Sequence, residues 1–189
     1  MDDRLDDREL AAAFAARGDE AAFRELYRRH SPALYLLAVR LLGGAGRGAE
    51  DAVQETWIRA AARLGAFRWE SALRTWLSGI AVNICRESIR SAPPPERSVE
   101  IDPEAAGAAS AISQDGAARL DLEGAIRRLP ARGRMVMVLH DVEGRTHAEI
   151  GALLGIDEGT SKSQLHKARA AVRAALTRGR ADGPERKRR

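Results

Sequence analysis

Aromatic residues make up only 4% of this 189-residue chain, and no stretch alternates apolar and polar side chains in β-branched company. Sheet architectures are therefore not expected; every periodic run has helical spacing, which predicts an all-α fold. Cys85 is the only cysteine, so no intrachain disulfide can form and a reducing compartment is the default. The four histidines, His30, His140, His147 and His166, do not fall at metal-ligand spacing with Cys85, and no metal or cofactor is expected. There is no GxxxxGK[ST] phosphate loop, and no Ser/His/Asp set or catalytic carboxylate pair stands out, so the chain does not read as an enzyme. No apolar run reaches the length of a membrane span, and the N-terminus opens with acids instead of a signal-type core. A soluble, cytoplasmic protein with no membrane contact of its own is expected.

What is present is a polarised charge layout under a formal net charge of +4. Residues 1–9 hold Asp2, Asp3, Asp6, Asp7 and Glu9 against Arg4 and Arg8. Residues 91–116 hold five acids against Arg97 alone, and residues 178–189 are rich in arginine. An acidic connector between two basic folded parts is the predicted organisation.

The first helical part spans 8–91. Leu10, Phe14, Phe23, Leu26 and Tyr27 lie on an apolar stripe that Leu34, Leu37, Ala38 and Leu41 continue past Pro32, which is expected to mark a kink or a new helix. The Gly43–Gly48 run breaks the helix. Further helices are predicted over 49–64 and 71–90, with a loop at 65–70. Pro93, Pro94 and Pro95 open a flexible acidic linker, 92–118. The second part, 119–178, carries three segments: a helix through Leu122, Ile126 and Leu129, one with Met135, Val136, Val138 and Leu139, and a pair joined by a tight turn. The basic tail, 179–189, is expected to be disordered.

That last pair, THAEIGALLGIDEGTSKSQLHKARAAVR from Thr146 to Arg173, is the clearest local signal. Thr146 and Glu149 form a capping box. Gly155 supplies the turn, Asp157 the next cap, and Leu165, Ala168, Val172 and Leu176 the buried stripe of the second helix. Opposite the stripe, Lys162, His166, Arg169 and Arg173 recur at i, i+4, i+7 and i+11, beside Ser163, Gln164 and Lys167. An apolar back and a front of cations and small polar groups suit the major groove of DNA. Arg145 and Thr160 flank that front, and Arg145 is a candidate phosphate contact. Ser161 occupies a position where an apolar residue is usual, and its hydroxyl is expected to weaken packing.

The N-terminal part supplies two further patterns. AEDAVQETWIRAAARL places Glu50, Asp51, Gln54 and Glu55 near one helical face, backed by Val53, Trp57 and Ile58. RTWLSGIAVNICRESIR sets an apolar face against Arg74, Asn83, Arg86 and Arg90. On spacing alone these are a solvated acidic patch and an ordinary amphipathic helix. Phe67, Trp69 and Trp76 beside those arginines nevertheless suit single-stranded DNA, because bases stack on aromatic planes while cations follow phosphates.

Together these segments resemble the extracytoplasmic-function (ECF) sigma factors of bacterial RNA polymerase. The resemblance rests on FRELYRRHSPALYLLAVRLL, AEDAVQETWIRA, FRWESALRTWLSGIAVNICRESIR, AIRRLPARGRMVMVLHDVEGRTHAEIGALLGI and EGTSKSQLHKARAAVRAAL, in the same order and at similar spacing. It covers 10–90 and 120–176. It implies two small helical domains, regions two and four, and contact with the β′ clamp and β flap of core RNA polymerase. Asp51, Gln54 and Glu55 then match the clamp-docking surface. Phe67, with Arg68 in the same loop, and Asn83 match a pocket for a base flipped from the promoter −10 element. Trp76, Arg86 and Arg90 lie along the opened strand. Arg145, Thr160, Lys162, Ser163, Gln164, His166, Lys167 and Arg169 match the −35 reader. Many relatives have Arg where this chain has Lys162 and Gln164, which alters guanine readout. An anti-sigma factor is a further implied partner. The competing reading is a stand-alone helix-turn-helix regulator with an N-terminal sensor or dimerisation region.

Overall fold

A computed structural model describes residues 5–91 and 114–181, with side chains placed for 5–91 and 121–177. All regular structure among them is helical. The described residues form two units: 5–39 with 46–90, and a second in which 40–45 join the residues beyond 90.

In the first unit, α1 (Asp7–Arg17) begins at a capping box made by Asp6 and Glu9 and ends at Gly18, which is left-handed at φ +66°. Its Phe14 meets Phe23 at 4.7 Å on α2 (Glu20–Leu42). Phe23 in turn meets Trp57 edge-on at 5.4 Å on α3 (Arg47–Ala61). The Trp57 indole N–H donates to Ser31 Oγ at 2.9 Å, so this nearly buried ring leaves no polar atom unpaired. Leu26, Leu34, Leu37 and Ala38 from α2 and Leu77, Ala81, Val82 and Cys85 from α4 (Leu73–Ser91) complete the core. Each large side chain there contributes roughly 1.5–3 kcal/mol by leaving water.

Pro32 does not start a new helix; α2 is continuous through it. Pro32 is exposed, while Leu26 and Leu34 on either side are almost fully buried. The ring and the missing donor therefore fall on the solvent face, and burial of the opposite face offsets the cost of about 3 kcal/mol. Two expected core residues face outward: Tyr27 is half exposed and Ile58 is 66% exposed.

In the second unit, α5 (Gln114–Arg127) begins inside the stretch read as linker. Once its packed turns at Ala125 and Ile126 exist, extension towards the N-terminus adds one backbone bond per residue and needs no apolar periodicity. Residues 92–113 of the predicted linker lie outside the described residues, as do 182–189 of the tail. Pro130 stands before α6 (Ala131–Met137), which passes into a π-helical turn, Val138–Val142. Arg134 is almost fully buried, and it donates to the carbonyls of Arg127 and Leu129 at 3.2 and 3.0 Å, closing the end of α5. Burial pulls its guanidinium below the ordinary arginine value. Helix α7 (His147–Leu154) and α8 (Glu158–Ala181) follow, α8 running past Leu176 through the first residues assigned to the tail.

Candidate nucleic-acid interface

Three surfaces carry the residues singled out from sequence. The first is the outer face of α3. Asp51 and Gln54 are exposed and Glu55 is half-buried, with Ile58 one turn on. The spacing 51, 54, 55, 58 puts all four on one face. Glu55 accepts from Arg59 Nε at 2.7 Å, and Arg59 Nη2 reaches Glu87 on α4 at 3.1 Å. These two carboxylates raise the Arg59 guanidinium above its ordinary value, Glu87 contributing most.

The second surface lies at the loop before α4. A hollow of about 420 Å³ is lined by Arg63, Ala66, Phe67, Arg68, Glu70, Ser71 and Trp76. Phe67 stacks on Trp76 with centroids 4.8 Å apart and planes at 25°, and meets Trp69 at 4.9 Å. A second hollow, also about 420 Å³, is lined by Arg59, Arg63, Ile80, Asn83, Arg86 and Glu87. Arg63 borders both, one aromatic and one polar. The structure thus brings Phe67, Arg68 and Trp76 around one hollow and Asn83 with Arg86 around the next; Arg90 lines neither. Arg63 was missed from sequence because a single exposed arginine at the end of a helix carries no pattern. A helical 3₁₀ turn, Leu64–Ala66, supports the loop and packs on α1, where Ala15 Cβ approaches Gly65. Trp69 is the one residue other than glycine with a positive φ among the described residues, at +59°. A side chain with a β-carbon held there costs of order 1–2 kcal/mol.

The third surface is the helix-turn-helix. The Thr146–Glu149 capping box forms as expected, and Gly155 is left-handed at φ +68°. Asp157 accepts from the Thr160 amide at 2.9 Å and its hydroxyl at 2.7 Å, capping α8. Those bonds hold the Asp157 carboxyl below the usual range. Gly151 is required by contact: a β-carbon there would stand 2.7 Å from the Ile156 carbonyl oxygen.

On the front of α8, Lys162, Ser163, His166 and Lys167 are exposed, Gln164 and Thr160 are half-buried, and Arg145 is mostly covered with Glu149 at 3.5 Å. Lys162 pairs with Glu158 at 2.6 Å. Arg169 does not project freely: Asp141, in the π-helical turn, takes its guanidinium in two bonds, the longer at 3.0 Å. That pairing, with His140 second, holds the Asp141 carboxyl below its usual value. Ser161 is fully buried and shares a 2.9 Å hydrogen bond with His147 Nδ1, so its hydroxyl is satisfied where sequence suggested a packing defect. The His147 ring stacks on His140 at 4.6 Å.

No helix among the described residues is long and apolar enough to cross a membrane. The family model for Sigma-70 region 2 matches residues 26–93, and that for Sigma-70, region 4, matches residues 119–172. The chain is 35% identical to the ECF RNA polymerase sigma factor SigM of Mycobacterium tuberculosis, over 90% of this chain and 84% of that protein. It is 31% identical to SigW of Bacillus subtilis, over 85% and 91%. Among solved structures it resembles CnrH in complex with the cytosolic domain of CnrY, with a TM-score of 0.57 and 30% identity over 94% of this chain and 99% of that one. It shares a fold with the sigma factor RpoE of Bartonella quintana, at a TM-score of 0.56 and 24% identity over 82% and 96%.

Proposed function

The chain belongs to the ECF sigma factors, alternative sigma subunits that direct bacterial RNA polymerase to promoters, and from that premise we propose how its surfaces divide the work. Residues 8–91 bind core polymerase and the −10 element; residues 119–178 bind the −35 element. The α3 face of Asp51, Gln54 and Glu55 docks on the β′ clamp. Phe67, Arg68, Trp76, Asn83, Arg86 and Arg90 receive the opened strand, and Lys162, Ser163, Gln164, His166, Lys167 and Arg169, with Arg145 and Thr160, read duplex upstream.

The observation that carries this reading is the pair of adjoining hollows that share Arg63. Extruding a base from duplex DNA costs a few kcal/mol of stacking and pairing. Stacking on an aromatic plane returns about 1–3 kcal/mol per base. A hollow of fitted shape recovers the cost only for the right base, and arginines alongside hold the phosphates of the displaced strand. Binding energy then opens the promoter without nucleotide hydrolysis. Upstream, Lys162 presents a point charge where a guanidinium would grip guanine in two bonds, so its readout is weaker in geometry and stronger in salt dependence. Arg169, already tied to Asp141, serves chiefly to fix α8 and secondarily as a phosphate contact.

A regulatory partner is part of the proposal. CnrH is in complex with the cytosolic domain of CnrY, and a protein partner acting as an anti-sigma factor is proposed for this chain.

The test is run-off transcription with purified core polymerase, with and without the protein. Promoter-dependent transcripts that require it support the reading; absence of both transcript and co-purification with core sinks it. Reversing charge at Asp51 together with Gln54→Ala should weaken core binding at least tenfold, and unchanged affinity would remove the docking role.

A further inference from the structure

Trp69 is the residue that the division of labour above leaves without a task. Its backbone is left-handed, a conformation that glycine adopts freely and tryptophan does not. A loop that served only to connect would be served better by glycine. The indole also does not line the hollow. It lies against Phe67, at 4.9 Å between centroids, and Phe67 does line it. The guanidinium of Arg8, from α1, stands 6.0 Å from the centroid of the Trp69 ring, within cation–π range. Three of the chain's eight aromatic residues thus form one contiguous group at the loop, with a cation from the first helix at its edge.

We propose that Trp69 is a positioning residue for base capture: it fixes the plane of Phe67 beside the hollow, and Arg8 fixes Trp69. The backbone strain at residue 69 brings the indole back onto Phe67 instead of letting it turn to solvent. Phe67 rests on Trp76 at one contact and on Trp69 at another, so its ring cannot rotate to suit whichever base enters. Selectivity follows from that rigidity, because a plane that cannot adapt stacks well on one base shape and poorly on others. The ligand class is an unpaired base of the displaced DNA strand. The inference rests on the −10 reading of this hollow, and it makes α1 a contributor to promoter choice through side chains rather than through contact with DNA.

The experiment measures equilibrium binding of single-stranded DNA by holoenzyme assembled from the full chain and core polymerase. The probes are an oligonucleotide selected by the wild-type holoenzyme from a randomised pool and the single-base replacements of it. Trp69→Gly relaxes the backbone and removes the plane; Trp69→Asn tolerates the left-handed backbone and also removes the plane; Trp69→Phe keeps a plane. The expected result is that Gly and Asn each lower the preference for the selected base at least tenfold at one position, while the salt dependence of binding and the affinity for core are unchanged. Phe restores most of the preference, and Arg8→Ala lowers it about threefold. Full discrimination in either Gly or Asn, with core binding intact, overturns the role of Trp69. Phe67→Ala separates the two levels: if it abolishes the preference and the Trp69 variants do not, only this inference fails. If the wild type shows no base preference, or Phe67→Ala leaves it unchanged, the −10 reading fails and takes the inference with it.

Discussion

Ser161 Oγ and His147 Nδ1 share a hydrogen bond of 2.9 Å between α8 and α7 at a position where Ser161 is wholly buried. The bond ties the two helices of the helix-turn-helix through a polar pair. Ser161→Val, which by sequence pattern restores the usual apolar residue, should therefore destabilise by about 1 kcal/mol by stranding the ring nitrogen. Urea denaturation checks this. A double-mutant cycle with His147→Ala should return a coupling energy of the same order, and zero coupling would show that the bond contributes nothing.

Asp141 gives a pH dependence. Its carboxyl is held below the ordinary aspartate value in the folded state, chiefly by Arg169. A depressed carboxyl stabilises the fold fully above its unfolded value and loses that contribution as pH falls through the folded one. As pH falls below the ordinary aspartate range the wild type should thus lose more stability than Asp141→Asn, with the two curves converging once the folded-state carboxyl is protonated. The Arg169 side chain is 45% exposed, so the difference should be modest and should shrink in high salt.

Gly151→Ala tests the turn. The new methyl group would meet the Ile156 carbonyl at 2.7 Å, and a backbone atom cannot rotate away. A loss of about 1–3 kcal/mol is expected, together with weaker binding of −35 duplex measured by fluorescence anisotropy. Alanine being the better helix former, an increase in stability would show that the turn yields.

Ile58, at 66% exposure next to Asp51 and Gln54, is a test of the docking face. Ile58→Ser should leave the unfolding free energy within about 0.5 kcal/mol of the wild type, as surface changes do. Its affinity for core polymerase should fall, read by competition against the unmodified protein.

Cys85 is fully buried on α4, and burial pushes its thiol up to about 12. Since only the thiolate reacts, maleimide labelling at pH 7.5 should be slow in the native protein and fast in urea. Rapid native labelling would show that α4 opens readily.

Much of the fold is legible in the sequence because helices announce themselves locally. The capping box at Thr146, the turn glycine at Gly155 and the stripe of Leu165, Ala168 and Val172 lie within a few turns of one another, and each is visible as spacing. Pro32 left two outcomes open for the same reason: its local preference is to bend or begin a helix, and the burial of Leu26 and Leu34 around it favours a helix that continues. Ile58 misled because period alone does not say how wide a buried face will be.

The sequence by itself determined that the chain is helical, that it has two parts with acidic residues between them, and which family it joins, since those follow from short-range pattern and from several motifs in fixed order. Only tertiary structure decided that Arg63 borders two hollows, that Asp141 restrains Arg169 from 28 residues away, that Ser161 is partnered and that Trp69 leans on Phe67. Most of these are meetings of side chains from different elements, and the Trp69–Phe67 contact turns on a left-handed backbone that no spacing announces. Their distances depend on how helices pack, and no periodicity along one helix encodes them.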